Sequence, residues 1–297
     1  MKVVIIGGVA GGATAAARIR RLDEKAEIVV FERSGFISYA NCGLPYYIGG
    51  TIEDEGDLTL QTPESFYKRF RVKMNVRHEV TALHPESKMV TVKNIENGTV
   101  FTETYDKLIL SPGAKPIKPN FEGIDSDKIF TLRTVEDTLK IKEFINEKYP
   151  KSAVVVGGGF IGIEVAENLR ELGIDVTLGE AADQLMAPFD SDMASFIHAE
   201  LRKNGVNLML GRFVEGFADT DDGTCVKLKN SPTLHANMVV MAIGVAPETT
   251  LAKDAGLELG IKGSIVVNDR METSVTDIYA GGDAVQIRNF VTDTDAL

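Results

Sequence analysis

Apolar residues enter this chain in short unbroken runs rather than in alternation. Lys2-Val3-Val4-Ile5-Ile6 is β-branched with no internal polar position, the pattern of a strand buried on both faces of a parallel sheet. Gly7-Gly8-Val9-Ala10-Gly11-Gly12 follows. A small-residue stretch then runs to Arg18-Ile19-Arg20-Arg21-Leu22 and predicts a helix packed closely on that sheet. Glu27–Phe31 predicts a second strand, ending at Glu32. Together these form one βαβ unit, whose right-handed crossover sets the glycine loop at the carboxyl end of the first strand.

The same pattern returns 150 residues later. Ser152–Val156 reads as a buried strand, followed by Gly157-Gly158-Gly159-Phe160-Ile161-Gly162. The spacing predicts a helix over 163–172, with Gly173 in the C′ position, then a strand over 174–178 and Glu180 close behind. Internal duplication of a dinucleotide-sized unit implies two nucleotides. Between the copies, Asn97-Gly98 predicts a hairpin joining 89–93 to 100–105. Thr134-x-x-Asp137 opens a helix over Val135–Lys148 closed by Pro150, and another is expected over 191–204, ending at Gly205. The proline-rich stretch 112–119 marks a crossing between domains.

Glycines in such a loop permit a tight turn and let backbone N–H groups approach a pyrophosphate, whose charge the helix N-terminus stabilises. An acid at the end of the second strand accepts hydrogen bonds from ribose. The second unit carries the whole pattern, with Gly157, Gly159, Gly162 and Glu180. The first has Gly7, Gly12 and Glu32, but Val9 stands where the middle glycine belongs. Glu180 repels a 2′-phosphate, and no Arg or Lys occurs in Ala181-Ala182-Asp183-Gln184, so NADH is expected over NADPH, with NADPH left open.

Composition narrows the setting. The 297 residues carry a net charge of −11, which argues against a nucleic-acid binder. The longest weakly polar stretch, 3–17, holds four glycines and is too short for a membrane span, so no membrane association is expected. Two cysteines cannot form a disulfide framework, and a reducing cytoplasm is expected. The four histidines lack metal spacing, so no metal is expected. Cys42 lies in Ser38-Tyr39-Ala40-Asn41-Cys42-Gly43-Leu44-Pro45-Tyr46-Tyr47. Two readings of it stand: a small buried hydrophobe, or a thiolate favoured by a helix starting just after it. Cys225, on an expected strand after Asp222-Gly223, keeps the structural reading.

With these motifs the chain resembles the flavoprotein disulfide reductases that hold FAD in a first dinucleotide domain and NAD(P)H in a second. The resemblance extends to Tyr105-Asp106-Lys107-Leu108-Ile109-Leu110-Ser111-Pro112-Gly113-Ala114, to Ala242-Ile243-Gly244-Val245-Ala246-Pro247, and to the run from Thr273 to Ala280-Gly281-Gly282-Asp283. It implies an α/β fold of two Rossmann-like domains. The FAD domain is discontinuous, 1–115 plus 248–297, with the NAD domain, 116–247, inserted in it. Tyr47 stands where a second redox cysteine would complete a CxxxxC pair, so the partner sulfur must come from substrate, or oxygen must take its place as a sulfenic acid. Asn41-Cys42-Gly43-Leu44-Pro45-Tyr46, with Val9 in the first glycine loop, is similar to coenzyme A-disulfide reductases and their persulfide-reducing relatives. Ala10 and Asn41 differ from the histidine and serine typical of NADH peroxidases and oxidases.

That resemblance implies roles residue by residue. FAD would meet Gly7, Val9, Ala10, Gly12, Glu32, Arg33, Val80, Ser111, Gly113 and Asp283. NAD(H) would meet Gly157, Gly159, Phe160, Ile161, Gly162, Glu180 and Gly244, with Phe160 covering the flavin when nicotinamide is absent. Cys42 would be the redox centre. CoA disulfide or persulfide would lie along Arg18 and Arg21 for its phosphates, and Thr14, Ser38 and Asn41 for its thiol end. For Arg18, Arg20 and Arg21 a solvated helix face is the competing reading, and the basic pair flanking Phe70 (Arg69, Arg71) is unassigned. Relatives continue beyond the Asp283 motif into a dimerisation domain, so this chain is expected to be a fragment of a homodimeric parent and itself monomeric. The reductase reading stands against two others: an NADH oxidase working through a Cys42 sulfenate, and a non-catalytic NADH-binding redox sensor.

Overall fold

The computed structural model describes all residues from Met1 to Leu297. The chain runs through β1 (Lys2–Ile6), α1 (Ala10–Leu22), β2 (Glu27–Phe31), the short helix α2 (Leu44–Gly49), β3 (Lys73–Asn75) and β4 (Lys107–Leu110). It continues through β5 (Ile129–Thr131), α3 (Val135–Lys148), β6 (Ser152–Val156), α4 (Phe160–Glu171) and β7 (Asp175–Gly179). Then come α5 (Ser191–Lys203), β8 (Asn207–Met209), β9 (Met238–Met241) and β10 (Ile278–Ala280). Two compact units result: Met1–Ala40, Thr59–Lys115 and Ala246–Leu297 form the first, and Asn41–Leu58 with Pro116–Val245 the second.

In the first unit five parallel strands are ordered β10-β4-β1-β2-β3. Alternate side chains of β1 leave opposite faces. Val3 and Ile5 pack on Ala13, Ala16 and Ala17 of α1, while Val4 and Ile6 join Val80, Val90 and Val92. Both faces are therefore covered, which is why β1 shows no polar alternation. Val80, Val90 and Val92 come from an antiparallel meander, His78–His84, Met89–Asn94 and Val100–Thr104. Its second turn has Gly98 at φ 74°, as Asn97-Gly98 predicted.

The second unit repeats the plan, with parallel order β8-β7-β6-β9-β5. Val154 and Val156 of β6, with Val239 and Met241 of β9, pack on Val214, Phe217 and Val226 of a second antiparallel sheet. The Thr134–Asp137 capping box is reciprocal: Asp137 N–H donates to Thr134 Oγ1 at 3.2 Å and Thr134 N–H to Asp137 Oδ2 at 3.0 Å. α3 ends at Lys148, with Tyr149 as a left-handed C-cap at φ 49° and Pro150 next, which disfavours right-handed helix at Tyr149. α4 corrects the expected boundary: it starts at Phe160, three residues before the predicted 163, since Gly159 adopts the extended N-cap conformation itself.

The segment Asn41–Leu58 packs with α3 and α4 of the second unit, although the sequence reading kept it with 1–115. Leu44 and Ile48 are buried there, and their partners lie about a hundred positions away, out of reach of any local pattern. No helix is long and apolar enough to cross a membrane.

Candidate functional site

At the carboxyl ends of β1, β4 and β10, three turns of the first unit come together, where an open parallel sheet receives its ligands. Gly7 has φ 98°, and a Cβ there would sit 2.1 Å from the Ser111 carbonyl oxygen. A Cβ on Gly12 would lie 1.8 Å from the Gly7 oxygen, so only glycine lets α1 start this close to the loop. Ser111 N–H donates to Ile6 O at 2.8 Å and Gly281 N–H to Leu110 O at 2.9 Å, tying the turns bearing Gly113 and Asp283 to the same edge. Glu32 is buried: Oε2 accepts Gly8 N–H at 2.7 Å and Oε1 accepts Ser34 N–H at 2.8 Å.

The cradle of the second unit matches it. Gly157 has φ 111°, with the Ala242 oxygen 2.3 Å from where a Cβ would be. Gly162 would place a Cβ 1.9 Å from the Gly157 oxygen. Glu180 Oε2 accepts Gly158 N–H at 2.6 Å, and Oε1 accepts Ala182 N–H at 2.8 Å. A Cβ on Gly159 would meet nothing within 4 Å, so this glycine leaves open space beside the loop. Neither N-cap, Val9 nor Gly159, offers a side-chain acceptor to its helix. The first N–H groups of α1 and α4 thus lack a protein cap, the condition a pyrophosphate satisfies. Phe160 is exposed at the start of α4, next to Ile161, and Gly244 (φ 114°) accepts Ile117 N–H at 3.0 Å.

Cys42 is exposed, in a single turn of 3-10 helix, Asn41–Gly43, directly before α2. Neither cysteine is in a disulfide, and Cys225 lies on the antiparallel strand Gly223–Leu228. Asn41 Oδ1 is buried without a partner, an acceptor left for a ligand donor at the turn. Burial holds the Tyr46 phenol above its ordinary value, and the charges of Glu167, Glu164, Glu171 and Cys42 add to this. Burial, helped by Glu167, also raises the Glu164 carboxyl.

The remaining candidates divide clearly. Thr14, Arg18 and Arg21 lie on the exposed face of α1, and neither of these arginines forms an ion pair. Arg20 is spent on structure, donating to the carbonyls of Phe70 at 2.8 Å, Glu24 at 2.7 Å and Arg71 at 3.1 Å. Ser38 is held at φ 45° by Ser38 N–H to Gly8 O at 3.0 Å and Leu60 N–H to Ser38 O at 3.0 Å. Arg33 is exposed, whereas the Val80 side chain belongs to the core, which leaves only its backbone for a ligand. A residue the sequence did not bring forward is Arg212, whose N–H donates to Glu180 O at 2.9 Å. It lies 32 positions from Glu180, beyond any motif window.

His198 has a structural task beside the second cradle: its Nε2 accepts Leu185 N–H at 3.0 Å. Burial, with Arg202 nearby, pushes its pKa below the ordinary value of 6.5. The folded state therefore binds fewer protons here than the unfolded one. The stability this gives is present above about pH 6.5 and is lost as pH falls through the lower folded value. Thermal melts from pH 7.5 to 5 should show His198→Gln losing less stability on acidification than wild type, and parallel curves would contradict this.

Comparisons with known proteins agree with this geometry. The family model described as pyridine nucleotide-disulphide oxidoreductase matches residues 1–294. Coenzyme A disulfide reductase of Staphylococcus aureus is 40% identical over 282 residues, which are 95% of this chain and 63% of the relative. The crystal structure of reduced Bacillus anthracis CoADR-RHD superposes with a TM-score of 0.97 at 48% identity, covering 100% of this chain and 53% of that one. The water-forming NADH oxidase of Lactobacillus brevis superposes with a TM-score of 0.93 at 34% identity, covering 100% of this chain and 65% of that one. The chain thus spans less than two thirds of the length of these relatives.

Proposed function

Because the chain belongs to the pyridine nucleotide-disulphide oxidoreductase family, whose members use FAD and NAD(P)H, we propose that the whole protein is a cytoplasmic, homodimeric FAD-dependent enzyme. In this reading it passes electrons from NADH to coenzyme A disulfide, or to a CoA persulfide, through Cys42. The carrying observation is that Cys42 is exposed, free, and without a second cysteine near it in sequence.

The loop from Gly7 to Gly12, with Glu32 and the turns at Ser111, Gly113 and Asp283, holds FAD, which when bound supplies a two-electron relay between nicotinamide and a disulfide. The loop from Gly157 to Gly162 takes the NADH pyrophosphate on the uncapped N-terminus of α4, and Glu180 faces the adenosine ribose. Cys42 thiolate attacks one sulfur of CoA disulfide. The S–S bond breaks, one CoA leaves as thiolate, and the other stays as a mixed disulfide on Cys42. Two electrons originating from NADH cleave that disulfide, releasing the second CoA and restoring the Cys42 thiolate. The sum is CoA disulfide, NADH and a proton giving NAD⁺ and two CoA thiols. Arg18 and Arg21 offer forked donors to CoA phosphates, as free guanidinium groups can.

The full-length enzyme should release two thiols per NADH with CoA disulfide under anaerobic conditions, and kcat/KM should favour NADH over NADPH by at least about tenfold because of Glu180. NADH consumption that requires oxygen and ignores CoA disulfide would replace this reading with the oxidase. Binding of NADH without turnover on either acceptor would replace it with the sensor.

A further inference from the structure

α2 carries Cys42 at its entrance yet has only six residues, too few to hold a helix by itself. Tertiary contacts must fix it, and two do so from different helices. From α3, Lys142 Nζ donates to the Ile48 carbonyl at 2.8 Å, and the same ammonium lies 5.6 Å from the Tyr47 ring centroid. A cation bound to a last-turn carbonyl satisfies a group the helix cannot pair internally. Burial lowers the Lys142 pKa, and the Ile48 carbonyl and the Tyr47 ring are the partners its ammonium has there.

From α4, Asn168 closes against the end of the same helix. A Cβ built on Gly49 would fall 2.1 Å from Asn168 Oδ1 and 2.8 Å from its Cγ. Gly49 does not have a positive φ, so close approach, and not backbone freedom, demands the glycine. Asn168 is 1% exposed; its Nδ2 donates to Glu164 O at 2.8 Å, and its Oδ1 has no partner. The amide is thereby oriented along α4 with its oxygen turned to α2.

We propose that Lys142 and the Gly49–Asn168 contact form a two-point clamp that sets the position of the Cys42 turn, making Lys142 and Asn168 positioning residues for the thiol chemistry. This rests on the reading of Cys42 given above. The clamp fixes α2 to the α3–α4 layer of the second unit, whose helix α4 begins at the second glycine cradle.

The test uses the full-length enzyme with Lys142→Met, Lys142→Arg, Gly49→Ala and the double variant Gly49→Ala/Asn168→Gly. Lys142→Met and Gly49→Ala should lower kcat for CoA disulfide by about tenfold or more, as small misplacements of a reacting group do. NADH-dependent reduction of ferricyanide, which needs no thiol, should keep its kcat and its KM for NADH. Iodoacetamide labelling, followed peptide by peptide, should change for Cys42 by at least about threefold, with Cys225 as the internal reference. Lys142→Arg keeps a donor and a cation over Tyr47 and should restore both readouts, whereas the double variant relieves the collision but also removes the Asn168 half of the clamp and should stay impaired. Cys42 and Cys225 changing together, or both activities falling together, would mean general loosening and overturn the clamp. Wild-type labelling of Cys42 in Lys142→Met and Gly49→Ala would overturn it as well. Labelling needs neither CoA nor NADH, so a wild type inert toward CoA disulfide would sink the functional reading while the clamp is still decided.

Discussion

Cys42→Ser should abolish NADH-dependent reduction of CoA disulfide, by at least about a thousandfold, while ferricyanide reduction by NADH persists near the wild-type rate. The argument is one of sulfur accounting. A disulfide acceptor needs an attacking thiolate, and a serine hydroxyl at neutral pH does not provide one. Cys225 cannot stand in, because it lies half-buried on the strand Gly223–Leu228 and belongs to a different sheet from the strands that build the second cradle. The serine is nearly isosteric and the site is exposed, so folding should be unaffected. Loss of ferricyanide reduction along with disulfide reduction would remove the role assigned to Cys42, as would a serine variant that still reduces CoA disulfide.

The two cradles should fail separately. Gly12→Ala and Gly162→Ala each place a methyl group 1.8 to 1.9 Å from a carbonyl oxygen, that of Gly7 and that of Gly157 respectively. Backbone atoms cannot swing aside as a flexible side chain does, so helix and loop must separate, at about 1–3 kcal/mol or more for overpacking. Gly12→Ala should emerge from purification with little FAD. Gly162→Ala should retain FAD, with KM for NADH raised by about tenfold or more. Absorbance of the purified proteins and a KM series measure the two effects. FAD loss in Gly162→Ala, or full FAD content with an unchanged KM in both, would contradict the assignment of one nucleotide to each cradle.

How much of this was legible in the residues follows from how far each contact reaches along the chain. β1, β2 and β6 appear within the ranges their apolar runs indicate, because a strand covered on both faces excludes polar residues locally. Gly12 and Gly162 were readable for the same reason: the backbone they approach lies five positions away in each case, within one loop. Arg18, Arg20 and Arg21 look alike in sequence. Only tertiary structure separates Arg20, whose guanidinium binds carbonyls 50 positions distant, from its two exposed neighbours. The resemblance puts Val80 at FAD, but its side chain is in the core. Lys142 and Asn168 gave no local signal, since their partners Ile48 and Gly49 lie 94 and 119 residues away. The start of α4 was missed by three residues because Gly159, two positions past the glycine that follows the strand, is itself the helix cap.

The most direct test of the central claim, that a single cysteine exchanges with an external sulfur, is the intact mass of the full-length protein after treatment with CoA disulfide. The predicted result is one CoA joined by a disulfide to Cys42 and none on Cys225, with the adduct discharged as free CoA when NADH is added anaerobically. No adduct on Cys42, or one that NADH leaves in place, would contradict it.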